Sequence, residues 1–250
     1  MVYILRKLRC RSLPACMLLF STFALQSSAA LAVSVDLVDA NWDSTLLGWE
    51  MGSTTVTDAN MASIADGGPA GTGDSFLQVL STGSAGAGGR MTFYNRTQWT
   101  GNFTAAGITA IAMDLNNISS SEALNLRLAV NGGRADPNNP GSILGGLFAT
   151  AASVTLDSGS GWVHVVFSLL PEDLVAVSGR AGATGNDANA TLANVFELRL
   201  LNSAVPDWAG LPVAATLGID NISAVPLPPA IWLFGSGLLM LGAWRRRAER

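Results

Sequence analysis

Leu124-Asn125-Leu126-Arg127-Leu128-Ala129-Val130 sets an apolar residue at every even position. Successive side chains of a strand point to opposite faces. This period of two therefore turns Leu124, Leu126, Leu128 and Val130 towards a core and Arg127 towards water. Val195-Phe196-Glu197-Leu198-Arg199-Leu200-Leu201 repeats the pattern, with Phe196, Leu198 and Leu200 on one face and Glu197 and Arg199 opposite. Around these two, short apolar or alternating runs cover Ser34–Val38, Phe76–Leu80, Met91–Tyr94, Ile108–Leu115, Ser142–Thr150, Trp162–Leu169 and Ala214–Ile222. Clusters of glycine, serine, asparagine and aspartate separate them about every ten residues, the rhythm of an all-β sandwich. No stretch shows sustained helical periodicity, although Glu172-Asp173-Leu174 after Pro171 suits a short helical turn. The expectation is a single all-β domain of two packed sheets over residues 33–223. Its long glycine-rich loops, Ser81–Gly89, Asn131–Pro140 and Gly179–Ala190, are where binding would sit.

The net charge of −4 conceals three unlike segments. Residues 1–32 carry +4, residues 33–226 hold seventeen acids against six arginines for −11, and residues 227–250 carry +3. A body this acidic, with no lysine, excludes nucleic acid as a partner, because neutralising phosphate is the main source of that affinity. Both cysteines, Cys10 and Cys16, precede the body, which therefore has no disulfide, no Cys-type zinc site and no cysteine nucleophile.

The N-terminus reads as a signal peptide over residues 1–32. Arg6 to Arg11 form a basic start, Leu13 to Leu25 an apolar stretch, and Ala30-Leu31-Ala32 a small-x-small cleavage site for signal peptidase. Leu13-Pro14-Ala15-Cys16 mimics a lipoprotein box, but its cysteine precedes most of the apolar stretch instead of following it. At the other end, residues 224–250 run from Val225-Pro226-Leu227-Pro228-Pro229-Ala230 through an uncharged segment to Arg245-Arg246-Arg247. The eighteen residues from Leu227 to Trp244 span about 27 Å as a helix, just enough for a hydrocarbon core of about 30 Å. A transmembrane helix is expected over residues 230–244, with the arginines as a cytoplasmic stop-transfer cluster and the body outside.

This C-terminal arrangement resembles the PEP-CTERM protein-sorting domain of Gram-negative bacteria, in the variant that reads Val-Pro-Leu-Pro-Ala followed by Trp-Leu-Phe-Gly-Ser-Gly-Leu. The matching residues are Val225, Pro226, Leu227, Pro228 and Ala230, then Trp232 to Leu238; Pro229 departs from the variant and shifts the alanine by one place. The resemblance implies recognition by an exosortase-type transpeptidase and delivery from the inner membrane to the cell surface or extracellular matrix, a system common in exopolysaccharide producers. The prolines would hold the motif extended outside the membrane, where a protease can grip it. The body also resembles the jelly-roll domains of carbohydrate-binding modules, which implies a jelly-roll-like β-sandwich. That likeness lies in Asn41-Trp42-Asp43 to Gly48-Trp49-Glu50, in Gly161-Trp162-Val163-His164-Val165-Val166-Phe167-Ser168-Leu169 and in Leu217-Gly218-Ile219-Asp220-Asn221-Ile222.

Candidate chemistry in the body is sparse. His164, the single histidine, lies mid-strand with Trp162 and Val166 on its side, and no Gly-x-Ser-x-Gly elbow accompanies it; a structural, hydrogen-bonded role fits that context. Seventeen acids leave glycoside hydrolysis open by count, but no spacing singles out a pair. Calcium is the ion the composition suits, because hard cations take aspartate and backbone oxygens in loops. Asp39, Asp43 and Asp220 are its candidate ligands, since the first and last strands of a jelly roll often lie side by side; Asx-turn and capping duty is the competing reading. For a glycan, exposed aromatic rings supply flat apolar platforms. Trp99 and Trp208, in loops, are the candidates, with burial as loop anchors the alternative. The first functional reading is therefore a non-enzymatic exported surface or matrix protein. The second is a carbohydrate-binding module contacting exopolysaccharide, and the third a glycosidase or polysaccharide lyase.

Overall fold

The computed structural model describes residues 37–226 except 44, 120, 133–134, 137–138, 144 and 179–186, with backbone only at 135–136 and 139–143. The expected signal peptide, Leu227 to Ala230 of the sorting motif, the helix over 230–244 and Arg245 to Arg247 lie outside these residues. Among the described residues no helix is long and apolar enough to cross a membrane.

Among the described residues fifteen strands follow in chain order: β1 (Val38–Asp39), β2 (Trp49–Glu50), β3 (Met61–Ile64), β4 (Phe76–Thr82), β5 (Thr92–Asn95), β6 (Ile108–Asn117), β7 (Leu124–Asn131), β8 (Ala135–Asp136), β9 (Asn139–Ile143), β10 (Leu147–Thr150), β11 (Val154–Leu156), β12 (Trp162–Ser168), β13 (Leu174–Ala176), β14 (Glu197–Asn202) and β15 (Ala214–Pro226). They form two large antiparallel sheets. The first runs β12-β6-β15-β4-β3, with β1 also on β15, and the second runs β13-β10-β7-β14-β5-β2, with β11 on β7; β8 and β9 pair apart from both. An all-β two-sheet sandwich is thus the architecture, as the alternating segments require. Val38 and Asp39 pair with Ser223 and Ile222, so the first and last described strands are neighbours.

The core is the space between the sheets. Leu124, Leu126, Leu128 and Val130 of β7 and Leu198 and Leu200 of β14 point into it, facing Ile111, Met113 and Leu115 of β6 and Leu217 and Ile219 of β15. Leu128 lies opposite Leu200 and Val130 opposite Leu198, so both alternating segments commit the same face. β14 begins only at Glu197, however, and it is Val195, 2% exposed, that joins the core where Phe196 was expected.

Several boundaries also moved. The Ser142–Thr150 run divides between β9 and β10, and β2, β3, β11 and β13 are two to four residues long, below the length at which alternation reads. A helix, α1 (Thr54–Asn60), precedes β3. Ser53 is its N-cap, accepting from the Val56 backbone N–H, and the threonine-rich sequence masks its helical character. A second helix, α2 (Ala188–Leu192), is capped by the Asp187 side chain.

The sharpest correction concerns Arg127. It was expected in water and is 4% exposed instead. Its Nε donates to Ser203 O at 3.0 Å, Nη1 to Thr150 O and Ala151 O at 2.6 Å each, and Nη2 to Ala204 O at 2.7 Å. The outer face of the second sheet is therefore covered around Arg127. The 203–213 segment folds over it, and Trp208 packs there with Ala129, Leu147, Ala149 and Leu201 as a second, smaller core.

Candidate functional site

Two of the aspartates expected as calcium ligands accept hydrogen bonds from tryptophans. Asp39, 3% exposed, accepts at Oδ2 from Trp49 Nε1 at 2.9 Å and from Trp99 Nε1 at 2.7 Å, while Gln98 Nε2 reaches both carboxylate oxygens at 3.2 Å. Asp220, 1% exposed, accepts at Oδ1 from Trp42 Nε1 at 2.9 Å and from the Asn221 backbone N–H at 2.7 Å. Its Oδ2 is buried without a partner among the described residues, and burial pushes its pKa up to about 6 against the opposing hydrogen bonds. Asp43 is exposed; its backbone N–H closes an Asx turn on Asn41 Oδ1. The three carboxylates do not converge. Among the described residues no group of three or more histidine, cysteine, aspartate or glutamate side chains is placed to hold a metal ion.

The glycan platforms are corrected in the same way. Trp99 is fully buried with its indole N–H on Asp39, and Trp208, carried by the 203–213 segment, is 4% exposed and packed on Ala129, Leu147, Ala149 and Leu201, so neither ring offers a face to a sugar. Trp162 behaves oppositely. It stands on the outer face of the first sheet, half-buried, edge-on to Phe76 at 5.3 Å, and donates to Gly67 O at 3.0 Å.

His164 lies on that outer face too, with its side chain 62% exposed. Its Nδ1 is 2.8 Å from Asp114 Oδ1, and Asn221 Nδ2 donates to Asp114 Oδ2 at 2.7 Å. Its flanking neighbours on β6 are Ala112 and Asn116, and among the described residues no hydroxyl is hydrogen-bonded to this pair. A hollow of about 250 Å³ between Thr150, Val154, Phe167 and Asp173 is also unpromising, because Asp173 Oδ2 already accepts the Ser168 hydroxyl at 2.6 Å.

A cleft of about 220 Å³ lies on the outer face of the second sheet. It is lined by Gly52, the turn 85–87, Arg90, Thr92, Tyr94, Arg199 and Ala209. Tyr94 of β5 and Arg199 of β14 are cross-strand partners, which places ring and guanidinium side by side on one face. The Tyr94 hydroxyl donates to Gly52 O at 2.9 Å and fixes the far wall. Arg96 stacks over the same ring at 4.1 Å, and the Arg199 guanidinium is 4.0 Å from the Trp208 ring and 5.4 Å from Tyr94.

Beneath them Glu197, fully buried, accepts from Arg96 Nε at 2.9 Å and from Arg199 Nε at 3.0 Å. Burial lowers the Arg199 pKa, Glu197 raises it, and an arginine stays charged throughout. Buried between two guanidiniums, Glu197 is the charge that makes their approach tolerable.

Arg90 closes the rim, donating from Nε to Ala85 O at 2.8 Å and from Nη1 to Gly210 O at 2.8 Å. Gly210 has φ +70, and a Cβ there would stand 2.4 Å from Thr92 Oγ1, so only glycine lets the 203–213 segment come this close. Among the described residues no carboxylate lines the cleft; Glu50, opposite Tyr94 on the edge strand, is exposed beside it. The alternating pattern set Tyr94 at the end of a strand and turned Arg199 away from the core, but it marked neither of them, nor Arg90, as part of a site. The arginines' signal was scarcity, since three of only six arginines in the body meet here.

No known family profile matches the chain, and no curated protein matches it. Among solved structures, an exo-β-agarase aligns at a TM-score of 0.47 and 15% identity over 78% of this chain and 26% of its own. A family 11 carbohydrate-binding module from Clostridium thermocellum aligns at 0.46 and 13% identity over 76% of this chain and 96% of its own. The CBM22-1 xylan-binding domain from Paenibacillus barcinonensis aligns at 0.42 and 13% identity, over 79% and 100%. The chain spans about a quarter of the agarase.

Proposed function

We propose that the chain is an exported, non-catalytic module of the cell surface or extracellular matrix, whose sandwich holds a saccharide in the cleft beside Tyr94. The cleft carries this reading. Its walls are small residues, its floor presents guanidinium donors, and its shallow, open form suits a ring that brings hydroxyl acceptors of its own. Turnover of a glycoside needs two carboxyl groups facing one bond, and the lining supplies none. Residues 1–32 and 225–247 support export and sorting by their composition and order, with signal peptidase and an exosortase-type transpeptidase as the processing partners and the membrane as the transient anchor.

A glycan array probed with the full chain tests the binding. Retention of a defined set of oligosaccharides, weakened by Arg199→Met, is expected; a blank array refutes it. Mass spectrometry of the mature protein tests the route, which requires loss of residues 1–32, and an intact N-terminus overturns export.

A further inference from the structure

We infer that the saccharide in this cleft bears a carboxylate, as a uronic acid residue does, and that Arg90 receives it. The inference rests on the saccharide-binding reading and narrows it. The Tyr94 ring is already occupied, with Arg96 stacked at 4.1 Å and Arg199 at 5.4 Å, and its hydroxyl is spent on Gly52. The cleft therefore lacks the bare aromatic face on which a neutral pyranose would stack, and recognition falls to charge and hydrogen bonds.

Arg199 and Arg96 share one buried carboxylate, Glu197. Arg90 has none. Its partners are the carbonyls of Ala85 and Gly210, which position the guanidinium without neutralising it. Of its five N–H donors, two are engaged in this way, and the other three meet no acceptor among the described residues. A planar fork with a fixed orientation and an uncompensated charge matches a carboxylate better than it matches a hydroxyl.

The wider charge pattern sharpens the ligand further. The surrounding body is acidic, with seventeen acids against six arginines, so a densely charged polyanion is repelled everywhere except at this cleft. A carboxylate isolated among neutral sugars meets the local arginine without that penalty. Long-range repulsion fades beyond a screening length of about 8–10 Å near physiological salt, whereas the contact inside the cleft is screened less.

The test is titration calorimetry of the full chain in detergent with an aldobiouronic acid, one glucuronate on one neutral sugar, and with the same disaccharide after reduction of the carboxyl to an alcohol. Expected are binding of the acid at least tenfold tighter than of its reduced form, and loss of that preference in Arg90→Gln. Arg90→Lys, which keeps the charge but not the fork, should retain part of the preference even if the rim loosens. The comparison of the two sugars on the unaltered chain needs no variant to fold. Equal binding of both sugars overturns the carboxylate inference and leaves saccharide binding standing. Binding of neither, with a blank array, overturns both.

Discussion

Replacing Asp39 with alanine removes the acceptor shared by two buried indoles. Trp49 and Trp99 are 1% and 0% exposed, and both N–H groups end on Asp39 Oδ2. Each orphaned donor costs about 1–3 kcal/mol, so the pair costs about 2–6 kcal/mol, a large part of the about 5–15 kcal/mol that holds a domain together. A central loss of about 4 kcal/mol lowers Tm by about 8–16 °C in a domain of this size. Asp39→Asn is the graded control. It keeps an oxygen where both indoles point but gives up the charge, so about half the loss is expected. Guanidinium-chloride unfolding of both variants, with and without a chelator, measures this. A loss under about 1 kcal/mol for Asp39→Ala, the size of an ordinary surface substitution, refutes the indole-anchor account. A loss that depends on the chelator refutes it equally, by returning Asp39 to a metal.

Asp220 has a folded pKa of about 6 against 3.8 when unfolded, so the fold favours its protonated form. Its ionisation therefore opposes folding above about pH 6, and that opposition fades as pH falls towards 4; Asp220→Asn should raise Tm at pH 7.5 and flatten the difference between pH 7.5 and pH 5, as calorimetry would show. Arg127→Met leaves four carbonyls without their donor and should cost about 3–5 kcal/mol in chemical denaturation, the range for breaking a buried charged network; a neutral result would mean the loops close without it. Gly210→Ala meets Thr92 Oγ1 at a positive φ and should cost about 1–3 kcal/mol while weakening saccharide retention on the array; unchanged retention would detach this segment from the cleft.

How much of this was legible follows from what alternation can report. A period of two names the core face, and the leucines of β7 and β14 are where it put them. It says nothing about whether the opposite face meets water. Arg127, Glu197 and Arg199 all stand on that opposite face; Arg127 is covered by Ser203 and Ala204, Arg199 packs against Trp208, and Glu197 lies beneath Arg96 and Arg199. The cover is set by contacts more than seventy residues apart in the chain, such as Arg127 with Ser203, which no local pattern encodes. Two of the three aspartates expected as calcium ligands, Asp39 and Asp220, are buried and accept from tryptophans, while Asp43 is exposed. Asp39 and Asp220 stand near tryptophans that are distant in sequence, up to 178 positions in the case of Trp42 and Asp220. The cleft was the least legible part, since it depends on a cross-strand register that brings Tyr94 opposite Arg199.

β15 has a mechanical consequence. It lies inside its sheet, bonded to β6 along one side up to Pro226 and, on the other, to β4 and then to β1. The proposed tail would leave the body directly from this strand, so any tension transmitted from a tether would pull along the strand's own axis. Antiparallel hydrogen bonds stand perpendicular to that axis and would be loaded together in shear, not peeled one at a time. Resistance to such a pull is governed by the rate of forced unfolding, not by equilibrium stability. If the proposed tail tethers the body, traction at the C-terminal end would meet this shear geometry first.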